Sequence, residues 1–421
     1  MYKKVIYNTA AQIAGKAITA SSSLLITILI GKSLGPAGYG EFTKIFVFVG
    51  YFYTFADFGL NAIFVRDSTK TDEAKTFKVL IATRVIFSLV LATIAIFISL
   101  TLPYNKELGI GFSPIAKTGI LIASATIITQ ALFTTANAFF QKKLRYDLST
   151  IAAIAGTLTI LGLTFLNYLG TSSIYLFSAS YVIGGIIFVL VAYFLINKKF
   201  KQSVFPTFDA QESKTLLRTS LPIGMALIFN LVYFRIDVLI LSLSRSTHEV
   251  GIYGLAYQFF EAALSIPIFF TNALFPVLTK IYTNNINEYQ RQVKKWALLL
   301  LVTSLALTLA LIIVSNFITV IFDSRFSQAK NALIILSTGM PFFFISALLW
   351  HVLIINQKQK LLAPVYLLTA IINISLNFIF IPQYGYIAAS VITVFSEAIV
   401  TLLLFVLSNS NKALPTKSTF A

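Results

Sequence analysis

No cysteine occurs among the 421 residues. Disulfides and thiol chemistry are therefore excluded, and the redox compartment stays open. Charge is scarce: Asp, Glu, Lys and Arg make up only 11% of the chain. Histidine occurs twice, at His248 in an expected loop and His351 near a span end, where each reads as an ordinary surface or interface residue rather than a ligand. Gly31-Lys32-Ser33 lacks the upstream glycine of a phosphate-binding loop. No paired metal-ligand motif and no nucleophile–histidine constellation occur. An ATP-driven pump has no support, and no cofactor is expected.

What fills the chain instead is apolar surface, 57% hydrophobic residues with a mean hydropathy of +0.85. A helical membrane span needs about 20 mostly apolar residues. Twelve such stretches are legible: 8–30, 42–65, 78–101, 115–139, 148–168, 173–196, 216–243, 252–279, 295–321, 331–355, 361–381 and 386–408. Runs of this length exclude a transmembrane β-barrel, whose strands alternate and span about 10 residues. Lys3 and Lys4 before an apolar run imitate a signal peptide. The run is long, however, and contains Gln12 and Lys16 with no small-residue cleavage site after it, so a retained first span is expected.

The net charge of +17 suggests a nucleic-acid binder until its distribution is examined. With the N-terminus inside, one side of the membrane would carry only Lys32, Lys106, Lys117, Arg245, Arg325 and Lys330 in its loops; almost every other basic residue falls on the cytoplasmic side. This is the positive-inside pattern. It predicts cytoplasmic termini in the inner membrane, makes the basic excess a topology signal with a capacity for anionic lipid headgroups, and argues against nucleic acid.

The chain is also written twice. Gly-Pro-Ala-Gly-Tyr-Gly at 35–40 returns as Val-Gly-Ile-Tyr-Gly at 250–254, Gln-Lys-Lys-Leu-Arg at 141–145 as Asn-Gln-Lys-Gln-Lys at 356–360, and Tyr168 with Gly170 as Tyr384 with Gly385. An offset of about 215 residues fits a repeated multi-helix unit. Six spans per copy make the copies parallel repeats about an axis along the membrane normal. The expected fold class is an all-α polytopic membrane protein of two six-helix lobes around a central cavity. Residues 1–200 and 216–408 form the lobes, 201–215 a cytoplasmic linker and 409–421 a polar tail. All loops are short, leaving little room for a large extramembrane domain.

Polar residues recur inside the spans at helical spacing. Asn8, Gln12, Lys16, Thr19, Ser23 and Thr27 form one stripe on the first span. Gln130, Thr134, Asn137 and Gln141 form another, as do Gln258, Glu261, Ser265 and Asn272, and Tyr366, Asn373 and Asn377. Helix–helix hydrogen bonding accounts for the stripes of the fourth and eleventh spans. The first is longer than packing needs and contains a cation, which favours a water-filled lumen.

Eight charges fall within spans: Lys16, Lys44, Arg84 and Arg235 against Asp57, Asp237, Glu261 and Glu397. Each would cost about 2.5–3.5 kcal/mol at a helix centre unless paired or solvated. Two readings remain open. They are internal ion pairs, or cations lining a cavity for an anionic headgroup while the acids pair, gate or carry a coupling ion. Arg84 and Lys44 lie near span ends and are expected to snorkel toward water. Arg235 and Asp237, two apart, point to nearly opposite helix faces. Asp57 and Arg66 lie where an inner gate is expected. The candidate substrate-binding residues are thus Lys16, Gln12, Thr19, Ser23, Arg235 and Arg84; the candidate gating or coupling residues are Asp57, Arg66, Asp237, Glu261 and Glu397. Pro222, Pro267, Pro276, Pro341 and Pro364 interrupt or start later spans, which permits bending.

At this point a resemblance enters. Gly-Lys-Ser-Leu-Gly-Pro-Ala-Gly-Tyr-Gly-Glu-Phe at 31–42, Asp57-Phe58-Gly59-Leu60 and Val65-Arg66 resemble the N-terminal signature of polysaccharide and oligosaccharide flippases, which share a superfamily with multidrug/toxin extruders and lipid II flippases. Tyr233-Phe234-Arg235-Ile236-Asp237, the 250–257 segment with Glu261, Phe275-Pro276, Asn373, Tyr384-Gly385 and Ile387-Ala388-Ala389 extend the likeness over almost the whole chain. The resemblance implies alternating access and a cargo of glycan on a polyprenyl (di)phosphate, moved outward, with Lys16 and Arg235 best placed for the phosphate. Coupling to H+ or Na+ is a further possibility it carries. Outward movement of an anionic headgroup gains about 2.3 kcal/mol per charge per 100 mV of inside-negative potential. A cation-coupled multidrug exporter of the same fold is the alternative reading. A membrane glycan polymerase or glycosyltransferase is a third, disfavoured by short outer loops with only isolated acids such as Glu107, Glu249 and Asp323.

Overall fold

Helix is the necessary outcome of this composition. In hydrocarbon every backbone polar group must be satisfied within the chain, and a helix does so locally. The computed structural model describes residues 2–67 and 73–409, with only the backbone of residues 2–14, Ala226 and Asn230. Its helices are α1 (Tyr2–Asp57), α2 (Leu60–Asp67), α3 (Glu73–Thr101), α4 (Pro114–Ala123), α5 (Ala125–Lys142), α6 (Tyr146–Leu169), α7 (Ile174–Phe200), α8 (Ala210–Ser244), α9 (Thr247–Asn284), α10 (Ile286–Asn316), α11 (Ile318–Ile321), α12 (Ser327–Ser337), α13 (Met340–Ile355) and α14 (Leu362–Asn409). The only named strands among the described residues are two residues each, β1 (Tyr104–Asn105) and β2 (Ile110–Gly111), paired antiparallel.

Among the described residues, eight helices are long and apolar enough to cross a membrane, or up to ten when each of two bent pairs is taken as one span. The difference from twelve expected spans lies in α1 and α14, each counted once. At 56 residues α1 would run about 84 Å if straight, far beyond a hydrocarbon core of about 30 Å. It breaks at Gly35 (φ 62°), beside Pro36, and α14 breaks at Gly385 (φ 58°). Four expected spans are less regular than the sequence suggests. The second ends at Asp57 and resumes at Leu60, the seventh bends by 44° within α8, the ninth is interrupted near Phe317, and the tenth is α12 and α13 bent by 40°.

Packing divides the chain into two compact units, Met1–Gly254 and Leu255–Ala421. The first holds two apolar clusters. One joins α2, α3, α5, α6 and α7 through Phe64, Phe77, Phe139 and Phe140; the other joins α1, α3, α4 and α5 through Ile45, Phe48, Ile120 and Ile127. In the second unit the buried face of α14 runs through Val365, Thr369, Asn373, Asn377 and Ile381, a helical repeat against which α13 packs. The segment before α8 ends in Asp209, whose carboxylate accepts from the Gln211 and Glu212 amides and pairs with Lys75 at 3.1 Å. The Glu212 amide, then the Lys75 ammonium, hold this carboxyl below the usual carboxylate range.

Candidate functional site: buried charges and an exposed polar stripe

The Asp57-Phe58-Gly59-Leu60 sequence is a helix break. Phe58 (φ 43°) and Gly59 (φ 73°) both adopt left-handed backbone, stopping α1 and re-aiming the chain into α2. A β-carbon on Gly59 would lie 2.6 Å from Ile223 of α8, so the break also needs the missing side chain for close approach. Ending the helix at Asp57 aims its carboxylate at Arg84 of α3.

Arg84 is 0% exposed. Its Nη2 donates to Asp57 Oδ1 at 2.9 Å and to Asn61 Oδ1 at 2.7 Å, while Nη1 donates to Thr134 Oγ1 of α5 at 2.8 Å. Four helices thus share one guanidinium, whose planar fork suits several acceptors at fixed angles. Only its Nε is buried without an acceptor. The expected snorkelling is overturned: ion pairing and hydrogen bonding within the bundle hold the charge, so it needs no route to water.

The Gly35 end carries a second buried cation, and there too snorkelling is overturned. Lys44 is 1% exposed. Its Nζ donates to the Gly111 carbonyl at 2.7 Å and to Thr247 Oγ1 at 2.6 Å, and Thr247 in turn donates to the Gly109 carbonyl at 2.8 Å. Glu41, one turn earlier, lies against Lys44, Ser113 and Thr247, with its Oε2 buried and unbonded. The β1–β2 hairpin supplies both carbonyls and bridges to Ser246. Beside this cluster the two echoed glycine motifs meet. A β-carbon on Gly40 would sit 1.9 Å from the Thr247 carbonyl oxygen, and one on Gly251 1.9 Å from that of Pro36. Only glycine lets these two backbones touch.

Asp237 is 4% exposed. Tyr253 donates its phenol to one carboxylate oxygen and the Val238 amide donates to the other at 2.7 Å. Arg235 is half-buried on the same helix, and Tyr51 of α1 lies within electrostatic reach of both. In the second unit Glu397 is 3% exposed and accepts from Ser346 of α13. Asn377 donates to Asn373, which donates to Ser396, a buried relay inside α14. His351 bonds Ala347 and Asn272 and lies tilted against the Phe275 ring, a role between packed helices.

Lys16 and Ser23 are exposed on α1 and Thr19 is half-buried, but Thr27 of the same stripe is buried with Gly15, Ser22, Ile26 and Ile30. Gln12 lies outside the described side chains. Arg66 is exposed in the last turn of α2, and Glu261 is exposed on α9. The arrangement therefore brings Arg84 to Asp57 and leaves Lys16 exposed on α1. Thr247 and Asn61 escaped the sequence reading. Ser246-Thr-His-Glu249 is a capping-box pattern that marks the start of α9 and would have flagged Thr247; no comparable signal marks Asn61.

Residues 1–282 match the family model for the polysaccharide biosynthesis protein family, and residues 222–379 match that of the MatE family. The chain belongs to the polysaccharide flippase family, within the multidrug/oligosaccharidyl-lipid/polysaccharide flippase superfamily. Its relatives include an uncharacterized membrane protein of Methanocaldococcus jannaschii, 23% identical and covering 90% of this chain and 78% of that one. Another is the "Putative O-antigen transporter" of Shigella dysenteriae, 23% identical over 86% of this chain and 90% of that one. Among solved structures, the lipid II flippase MurJ in an inward closed conformation superposes with a TM-score of 0.77 at 17% identity, covering 96% of this chain and 88% of that one. An inward-facing multidrug resistance MATE family transporter gives 0.74 at 12% identity, covering 92% and 93%. The all-α polytopic fold is theirs. These families are transporters and flippases rather than enzymes, and the protein is a multi-pass membrane protein.

Proposed function

We propose that the protein flips a polyprenyl-(di)phosphate-linked oligosaccharide from the cytoplasmic to the outer leaflet by alternating access, in the biosynthesis of a polysaccharide or surface glycan. The observation that carries this reading is the family match over residues 1–282, which contain the exposed polar stripe of α1. The names of the O-antigen transporter and the lipid II flippase support the cargo class. In this reading α1 and α14 each cross twice, giving twelve spans in two six-helix lobes, residues 1–200 and 216–408, with 201–215 as linker. The termini and the Asp57 end face the cytoplasm of the inner membrane, and the Gly35 end faces outward. Gln12, Lys16, Thr19, Ser23 and Arg235 line the aqueous path, the two cations taking the phosphate. Asp57 with Arg84 and Arg66 sits by the inner gate, and Asp237, Glu261 and Glu397 are the candidates for coupling to H+ or Na+.

The test is reconstitution of the purified protein with a lipid-linked oligosaccharide in proteoliposomes, scoring the glycan exposed on the far leaflet. Lys16→Ala with Arg235→Ala should abolish that movement; a wild-type rate in the double variant rejects the assignment. The MatE match over residues 222–379 favours a second reading, cation-coupled export of a drug or toxin. Efflux of a cationic dye without glycan flipping would establish that reading instead.

A further inference from the structure

In the first unit a groove opens where α3 and the start of α8 diverge, lined in part by Phe58. Two depressions adjoin there and share Lys214 and Arg218. One, of about 650 Å³, is edged by Gln211, Thr215 and Thr219 together with those two cations. The other, of about 770 Å³, is walled by Ile86, Val90, Leu217 and Leu221. Lys214 and Arg218 are four residues apart, one turn on the same face, and both are exposed. No ion pair is found for either among the described residues, although Lys75 beside them pairs with both Asp209 and Glu212. Thr83 donates to Ser213 at 2.8 Å and closes the floor.

We propose that this paired depression holds an anionic glycerophospholipid of the cytoplasmic leaflet as a resident lipid. Its phosphate lies between Lys214 and Arg218, and an acyl chain lies along the α3–α8 groove. Three observations argue for this occupant. The apolar trough runs from Ala210 to Leu221 along α8, which at 1.5 Å per residue is about 16 Å, half of a hydrocarbon core of about 30 Å and so one leaflet deep. The cations stand about one and two helical turns into that trough, at Lys214 and Arg218, on the side where the basic loops are expected to attract anionic headgroups. Phe208, which lines the trough, and Phe205 are 60% and 80% exposed on the segment leading into α8. Aromatic rings at that level anchor a segment in the headgroup region.

The experiment uses the full chain, taken from bilayers of phosphatidylcholine with phosphatidylglycerol into mild detergent, and counts retained lipids by native mass spectrometry. Wild-type protein should retain phosphatidylglycerol in preference to phosphatidylcholine. Lys214→Gln with Arg218→Gln should reduce that preference on the order of tenfold or more, since each juxtamembrane cation contributes to anionic-lipid binding. Ile86→Trp, which fills the trough and leaves the charges, should expel the lipid while the protein stays monodisperse. Lys198→Gln with Lys199→Gln, outside the trough, should change nothing. Equal retention by wild type and the Lys214/Arg218 variant overturns the proposal. So does displacement of the phosphatidylglycerol by inorganic phosphate, which would make the site a simple anion site. Displacement by an equimolar polyprenyl phosphate would assign the trough to the cargo lipid instead and would equally overturn it.

Discussion

The polar stripe of α1 and the charge cluster around Arg84 both set polar side chains into apolar helices, yet they end in opposite surroundings. Lys16 and Ser23 are exposed on α1. Arg84 is sealed by Asp57, Asn61 and Thr134 from three neighbouring helices. The relay of Asn373, Asn377 and Ser396 in α14 sides with the second case. The lesson is that spacing fixes which face of a helix is polar, whereas neighbours fix whether that face is sealed.

The comparison can be broken most directly at Asp57. Asp57→Leu leaves a fully buried guanidinium without its counter-charge and should cost about 3–5 kcal/mol. Arg84→Met should cost less, because the orphaned Asp57 carboxylate is 28% exposed and keeps water. Thermal unfolding of the two variants in nanodiscs reads the order, and equal or reversed losses would mean that Arg84 is not held as an ion pair. Gly251→Val comes next. Its side chain would collide with the Pro36 carbonyl, a clash of backbone that should cost about 1–3 kcal/mol by the same measurement. A neutral result would mean that the two glycine motifs do not touch.

Smaller effects sharpen the picture. Asn377→Leu should cost about 0.5–1.5 kcal/mol, the net range of one intramolecular hydrogen bond. At the bottom of the scale, Lys16→Gln should shift stability by less than about 0.5 kcal/mol, since an exposed side chain has little packing to lose. Glycan flipping by that variant should nevertheless fall. A stability loss as large as that of Arg84→Met would place Lys16 in the buried class and erase the contrast.

Much of the architecture was legible before any coordinates. The apolar runs predicted helices at almost every position, because a span must be long and apolar to exist in lipid at all. The resemblance motifs led to the right family. Helix breaks were not all legible: Gly35 fell between two expected spans, but Phe58-Gly59 lay inside one, since a two-residue left-handed stop scarcely lowers local hydropathy. The pairing of Arg84 with Asp57 was only one of two open readings, because partners 27 residues apart on different helices leave no local pattern. Lys44 shows the same limit more sharply. Its acceptors are the Gly111 carbonyl and Thr247, more than 200 residues away along the chain in the latter case.

Sequence alone determined that this chain lives in a bilayer and runs as helices, because transfer free energy depends on composition along a segment and needs no knowledge of neighbours. Tertiary structure decided which charges are sealed, which are exposed and where two glycine-rich turns close on each other. Those outcomes depend on side chains that meet across space, and a buried ion is tolerated only when its partner arrives from another helix.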